Sequence, residues 1–121
     1  RLGGWTMCVR NINRGSVLAE TLLTLRSNFT RTLRHLNQNG IPSDCALWIS
    51  PCQAIYTVGM RFPVDIIFID NRGVVVKALK NFPPNCYVES SKKAVSALEL
   101  PCNRIAESGT EVGDLLQLDP T

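Results

Sequence analysis

Several sequence features that define common functional classes are absent from this chain. It contains one histidine and five cysteines, with no Cys-x-x-Cys pair, whereas a zinc site usually draws on three or four closely spaced ligands. No P-loop, GxGxxG or HExxH motif is present, so nucleotide hydrolysis, dinucleotide binding and zincin chemistry have no support. We therefore expect no bound metal and no cofactor.

Long hydrophobic runs are also absent. The longest, at residues 66–69 and 74–76, are far shorter than the roughly 20 residues that a membrane-spanning helix needs. No signal peptide is recognisable, so we expect a cytoplasmic protein without a membrane span. Residues 1–6 have the character of a leader or of residues added for expression. We expect a single globular domain over residues 7–119, with Met7 as the natural start.

The cysteines argue against a fold built on disulfides. Their number is odd and they are widely spaced: Cys8, Cys45, Cys52, Cys86 and Cys102. Free cysteine is among the most buried residue types, and thiols persist in reducing compartments. The sequence therefore predicts five mostly buried free thiols.

The remaining composition is that of an ordinary globular domain. The 121 residues are 45% hydrophobic and 19% charged, and a chain of this length can bury roughly 65% of its unfolded surface. The net charge of +3 is uneven, because residues 1–36 carry six arginines and one acid while the rest is slightly acidic. The basic excess is local and does not indicate a chain-wide polyanion-binding surface.

The hydrophobic pattern predicts a mainly β fold. Short alternating or apolar segments bounded by turn residues predict strands at residues 6–11, 16–23, 46–49, 54–58, 64–69, 74–79, 94–100 and 115–118. A hairpin turn is predicted at residues 70–73, a long surface connection at 81–91 and a short helical turn at 101–107. These elements favour a small β-sandwich or distorted barrel of short antiparallel strands, with one α-helix and a short C-terminal helical turn.

The one predicted α-helix is marked by a change of period. Its apolar stripe consists of Leu25, Phe29, Leu33 and Leu36, which predict a helix over residues 25–37 with Ser27 as a candidate N-cap. Arg26, Arg31 and Arg34 fall on an adjacent arc that could contact phosphates. Because aromatic residues are sparse and no nucleic-acid motif is present, we expect a solvated face and no nucleic-acid binding.

Five segments carry a family resemblance. They are RNINRGSVLAE, LRHL, ALWISPCQAIYTVGMRFPVDIIFIDNRGVVVKA, AVSALELP and GTEVGDLLQL. In this order, over about residues 9–118, the chain resembles the domain of unknown function 192 family, a group of uncharacterised prokaryotic proteins. The resemblance implies a compact β-sandwich or barrel-like domain, and it implies no reaction.

Two positions depart from the family pattern. Tyr56 stands where the family usually has histidine, and His35 stands where it usually has glycine. A family role that requires an imidazole at position 56 could not operate in this chain. His35 falls on the predicted polar helix face and is therefore a poor substitute.

Cys52 and Asp65 are the residues with the clearest chemical potential. A nucleophilic cysteine needs a nearby base or helix N-terminus to form its thiolate, and the sequence supplies no histidine partner, so we interpret Cys52 as structural. Asp65 interrupts an apolar strand, and alternation with Ile67 and Ile69 places it inward. It is either a structural carboxylate paired with Arg61 or backbone N–H groups, or a carboxylate at a pocket floor.

The other candidates have mainly structural interpretations. Met60 and Tyr56 could form pocket walls, although such residues more often fill a core. Glu99 and Asp114 are expected to face solvent, Asp114 within a turn that suits an Asx-type bond.

Three functional hypotheses follow. The first is a non-catalytic binding module for an unknown small ligand or protein partner, with a site rimmed by residues 51–65 and the loop at 83–84. Its candidate ligand-binding residues are Cys52, Tyr56, Met60, Arg61 and Asp65. The alternative is a small enzyme that uses Asp65 as acid or base, assisted by Cys52 or Tyr56. A weaker alternative is a nucleic-acid accessory protein that uses the helix arginines.

Overall fold

The computed structural model describes residues 7–25 and 40–120. Its ten strands are β1 Met7–Asn11, β2 Ser16–Ala19, β3 Thr21–Leu25, β4 Cys45–Ile49, β5 Ala54–Tyr56, β6 Val64–Ile69, β7 Val75–Phe82, β8 Tyr87–Glu89, β9 Ser96–Leu100 and β10 Leu116–Pro120. One short helix, α1, spans Arg104–Ser108. The helix predicted over residues 25–37 lies outside the described residues except for Leu25, which ends β3; its arginines and His35 lie outside them too.

The strands form three sheets. Their orders are β10-β1-β2, β3-β4-β9-β6-β7 and β5-β8. The β3–β4 pair is parallel and the other pairs of named strands are antiparallel. Within the described ranges no sheet closes into a barrel. The predicted mainly β class is thus confirmed. Of the two predicted architectures, a sandwich or a distorted barrel, the described sheets match the layered sandwich.

Two apolar cores lie on opposite faces of the five-stranded sheet. The first core joins that sheet to the three-stranded sheet and includes Val9, Leu18, Leu116, Ile67, Leu98 and Ile105. The second core lies beneath the β5–β8 pair and includes Ile55, Val88, Leu47, Ile66, Phe68 and Met60. Strand β6 contributes alternate residues to both cores, which explains why its six residues are all buried and why its sequence is nearly continuous in apolar residues.

The strand predicted at residues 16–23 is two strands. β2 belongs to the three-stranded sheet and β3 to the five-stranded sheet. The chain changes sheets at Glu20, whose backbone N–H donates to the carbonyl of Asp44, as does that of Thr21. Both halves place apolar residues in the first core, so a single apolar pattern runs across the break.

The prediction of a long surface connection over residues 81–91 is also wrong. β7 continues to Phe82, and β8 occupies Tyr87–Glu89 with the pattern exposed, buried, exposed. Val88 packs in the second core, and its burial stabilises this short strand. The helical turn after residue 101 is confirmed as α1, which is closed by Gly109 with a φ of 70°.

Candidate functional site

Asp65 is completely buried, as strand alternation predicts. One carboxylate oxygen accepts the backbone N–H of Asn81 at 2.8 Å, and the other accepts the backbone N–H of Ile105 at 2.7 Å. Of the two kinds of partner considered from the sequence, the structure shows backbone N–H groups. Both oxygens are thus engaged in bonds that join β6 to β7 and to α1.

A β-bulge creates the first of these bonds. The register between β6 and β7 shifts at the position of Asp65, and Asn81 adopts a φ of 51°. A bulge leaves an extra residue outside the regular ladder. The N–H of Asn81 is therefore available to the carboxylate across the strand.

The second bond caps the helix. The N-cap residue of α1, Asn103, makes no side-chain capping bond and has a φ of 73°. Asp65 supplies the missing acceptor to the first turn through the N–H of Ile105, and a carboxylate at a helix N-terminus is favourable. The side chain of Asn81 accepts the N–H of Asn103 at 3.3 Å, which completes a structural network around the buried carboxylate.

Cys52 lies at the edge of the second core. Its thiol donates to the carbonyl of Ala54 at 3.1 Å, and burial raises its pKa. A thiol with a raised pKa is a poor nucleophile at neutral pH. Burial also raises the pKa of Cys45 and of Cys102. All five cysteines are free thiols; Cys8, Cys45 and Cys52 are buried and Cys86 and Cys102 half-buried.

Cys52 also lines a shallow depression of about 360 Å³ with Pro51, Gln53, Ala94 and Val95. A second depression, of about 250 Å³, is apolar and is lined by Ile41, Phe62, Pro63, Val64, Pro101 and Cys102. Neither depression is lined by Tyr56, Met60, Arg61 or Asp65. Met60 and Cys52 share the second core, whereas Arg61 is exposed. The five candidate residues therefore do not converge on one described cavity.

Tyr56 lies instead on an exposed aromatic pair. It sits opposite Tyr87 in the β5–β8 pairing, and the two ring centroids are 4.4 Å apart with an interplanar angle of 44°. Tyr56 is 69% exposed and Tyr87 47% exposed. The hydroxyl of Tyr87 donates to the carboxylate of Glu89 at 3.0 Å, a bond that raises the pKa of Tyr87.

We call the β5–β8 pair the ribbon and its outer side, formed by Ala54, Tyr56, Tyr87 and Glu89, the tyrosine face. Tyr87 is absent from the candidates named from the sequence because residues 81–91 are predicted as a surface connection. The signal was nevertheless present, since Tyr87, Val88 and Glu89 alternate in polarity with the period of a strand.

The ribbon is fixed at its tyrosine end by Thr57. This buried hydroxyl donates to the carbonyl of Pro83 at 2.7 Å and accepts the N–H of Cys86 at 2.9 Å. The side chain of Asn85 accepts the N–H of Gly59 at 3.0 Å. Together with Ile55 and Val88 in the second core, these bonds hold the tyrosine face on a well-anchored support.

Glu99 does not face solvent as predicted. It is only 4% exposed and lies in β9 between Leu47 of β4 and Ile66 of β6. Desolvation raises the pKa of Glu99 to about 7. The prediction failed because β9 is a central strand with both faces covered, so alternation does not separate solvent from core.

Asp114 is also buried, contrary to prediction. Its carboxylate accepts bonds from Asn11 at 3.0 Å, from the Arg14 guanidinium at 3.0 Å and from the backbone N–H of Glu111 at 2.9 Å. These partners, Arg14 first, lower the pKa of Asp114 to about 2. Asn11 also donates to Thr110 at 2.9 Å. This cluster, which we call the Asp114 cluster, joins the β1–β2 turn to the segment before β10.

Two further properties bear on candidate functions. Among residues 7–25 and 40–120, no three His, Cys, Asp or Glu side chains lie together in a way that could hold a metal ion. No helix in the described part of the chain is long and apolar enough to cross a bilayer.

Comparison of the sequence with known families identifies the family of this chain. The sequence matches the profile of the domain of unknown function 192 family, described as an uncharacterized ACR, over residues 15–118. The chain belongs to this family. No curated protein matches the sequence.

Two crystal structures share the fold. One is a protein from Sinorhizobium meliloti 1021 named as a candidate transcription regulator; it has a TM-score of 0.74 and 16% identity, and the match covers 93% of this chain and 91% of that one. The other is a protein of unknown function from Novosphingobium aromaticivorans DSM 12444, with a TM-score of 0.74 and 15% identity, covering 96% and 88%. At this level of identity the likeness concerns the fold alone.

Proposed function

We propose that this protein is a non-catalytic binding module and that the tyrosine face is its contact surface. The observation that carries the proposal is the pair of packed, exposed tyrosines on the anchored ribbon. Of the five residues suggested by the sequence, the proposal retains Tyr56 as a contact residue and adds Tyr87.

Exposed tyrosine pairs suit recognition for a physical reason. A tyrosine ring offers a large apolar area at a small cost in side-chain entropy, and its hydroxyl can form a directed hydrogen bond. Here the two rings already restrict each other, and the hydroxyl of Tyr87 is oriented by Glu89. Tyrosine is accordingly enriched at binding surfaces and among the residues that dominate their affinity.

The enzyme hypothesis finds little support in the geometry. Both oxygens of Asp65 accept backbone N–H groups in a fully buried position, whereas a general acid or base must reach a substrate proton. The Cys52 thiol has a raised pKa and donates to a carbonyl. Tyr56 lies on the surface of a different sheet from Asp65. These residues do not form a nucleophile and base pair.

Site-specific photocrosslinking tests the proposed surface. A photoreactive benzophenone amino acid is placed at position 56, and the matched control carries it at the exposed Val112. Both proteins are irradiated in an extract of the source cells, and adducts are identified by mass spectrometry. We expect adducts at position 56 that excess unlabelled wild-type protein removes.

The competitor variants decide the outcome. Excess Tyr56→Ser/Tyr87→Ser protein should leave the adducts at position 56 intact, because it retains the fold but lacks both rings; circular dichroism verifies that fold. Equal labelling at positions 56 and 112, or equal competition by the double variant, would contradict the proposal.

A further inference from the structure

We infer that the partner of the tyrosine face is an extended acidic peptide segment that pairs with an open edge of the ribbon. This inference rests on the proposed binding function and specifies the chemistry of the partner. It combines the hydrogen-bonding pattern of the ribbon with the charges at its ends.

The ribbon leaves backbone groups of its tyrosines free for pairing. Backbone bonds join Thr57 to Cys86 and Ser90 to Gln53, and antiparallel pairs alternate between bonded and non-bonded types. Counting inward from either end makes the Tyr56–Tyr87 pair non-bonded. Their N–H and C=O groups therefore point outward along the two edges. Among residues 7–25 and 40–120, no backbone bond from a turn, loop or cap engages them.

Open edges of this kind accept an added strand. An extended peptide satisfies the outward N–H and C=O groups, while alternate side chains contact one face of the sheet. The apolar side chains of such a peptide would lie beside the two tyrosines and extend the tyrosine face. Each ribbon strand has three residues, which limits the added segment to a short motif.

The far end of the ribbon is rich in cations. The Lys77 ammonium donates to the carbonyl of Glu89 at 2.9 Å. Gln53, directly before β5, donates to the carbonyl of Lys92 at 3.2 Å, which places the exposed Lys92 and Lys93 against the same end. None of these lysines forms an ion pair within the described ranges. The Lys77 ammonium and the Lys92 backbone thus lie at the end of the ribbon where Glu89 is the acidic residue of the two strands, so charge complementarity favours an acidic partner.

A single-stranded nucleic acid shares the negative charge but fits less well. Bases usually stack on an open aromatic plane. Here the two rings are tilted by 44° and pack on each other, and nucleotides would leave the outward peptide groups of the tyrosines without backbone partners. We therefore assign a peptide, and an oligonucleotide serves as a competing probe.

Fluorescence anisotropy with synthetic probes tests this assignment. The main probe is a short labelled peptide in which valine alternates with glutamate around one phenylalanine. Its controls are the same peptide with lysine for glutamate, the same peptide with alternate backbone amides N-methylated, and a labelled oligothymidine. We expect the acidic peptide to bind at least about tenfold more tightly than the lysine peptide and the N-methylated peptide to lose binding.

Charge reversals locate the contact. Lys92→Glu should weaken binding by about three- to tenfold. Arg10→Glu, an equal charge change at an exposed site of the three-stranded sheet, should change it less than about twofold.

Equal binding of acidic and lysine peptides, retained binding after N-methylation, or preference for the oligonucleotide would overturn the assignment. If crosslinks still form at position 56 in that case, the binding function stands and only the peptide chemistry is wrong. Absence of both overturns both.

Discussion

Asp65 shows how a single carboxylate organises the chain around it. Its two oxygens receive N–H groups from β7 and α1, so one side chain sets the geometry of a bulge and of a helix start. Glu99, by contrast, is buried between strands, and desolvation raises its pKa to about 7. The two buried acids therefore lead to opposite expectations on neutralisation.

Asp65→Asn should destabilise the fold by about 1–3 kcal/mol, because the amide can accept one N–H with its oxygen but opposes the other with its own NH₂. Cys52→Ser is the comparison, since a hydroxyl can still donate to the Ala54 carbonyl and only packing and polarity change. Chemical denaturation of both variants beside wild type measures the difference. An Asp65→Asn protein as stable as wild type would show that the carboxylate is not structural.

Glu99 should make stability fall as pH rises. Its pKa is about 7 in the folded protein against an ordinary value of 4.5, so the folded state binds more protons between these values. The stabilisation is complete below pH 4.5 and is lost as pH approaches and passes 7.

Glu99→Gln should flatten this slope and raise the melting temperature above pH 7 relative to wild type. Thermal melts across this range measure the effect, and Glu20→Gln, at an exposed position, provides a neutralisation control that should retain the slope. A wild-type slope in the Glu99→Gln protein would contradict the assignment.

At the scale of elements, the ribbon depends on a few buried groups rather than on its length. β5 and β8 have three residues each, and an isolated two-stranded pair is at best marginally stable in water. Ile55 and Val88 anchor its inner side, and Thr57 ties its end to the Pro83 and Cys86 backbone. The tyrosines contribute little to this anchoring because they are exposed.

Thr57→Val should therefore loosen the ribbon while preserving its size and shape. The change removes an acceptor from the Cys86 N–H and a donor from the Pro83 carbonyl, which we expect to cost about 1–3 kcal/mol. Amide hydrogen exchange should accelerate at Val88 more than at Ile67 in the central sheet. Uniform acceleration would indicate that the ribbon is not a separate unit of local stability.

The Asp114 cluster has the opposite pH dependence to Glu99. The pKa of Asp114 is lowered from 3.8 to about 2, so its stabilisation is present above pH 3.8 and is lost as pH falls towards 2. Asp114→Asn should weaken the fold at neutral pH and reduce the loss of stability in acid. Acid titration followed by circular dichroism measures both, and an acid transition identical to that of wild type would contradict this role.

At the scale of the whole molecule, local sequence patterns predict the strands and the helical turn better than they predict which strands pair with each other. The β6–β7 hairpin, β9 and the helical turn follow from alternation and turn residues near one another in sequence. The parallel pairing of β3 with β4 and the position of β9 in the centre of a sheet depend on contacts between distant residues. Strand alternation accordingly placed Asp65 correctly and misplaced Glu99, while the tyrosine face required knowledge of which strand pairs with β5.

The pairing of β1 with β10 has a consequence for synthesis of the protein. Met7 lies opposite Pro120 across this pair. The first described strand to be synthesised therefore pairs with the last described strand. Its local partner β2 can join it at once, but its other edge stays open until residues 116–120 emerge. An open edge is a template for pairing with foreign strands. The edge of β1 therefore stays open while all the residues between β2 and β10 are synthesised, and translation that stalls before residue 116 should favour aggregation.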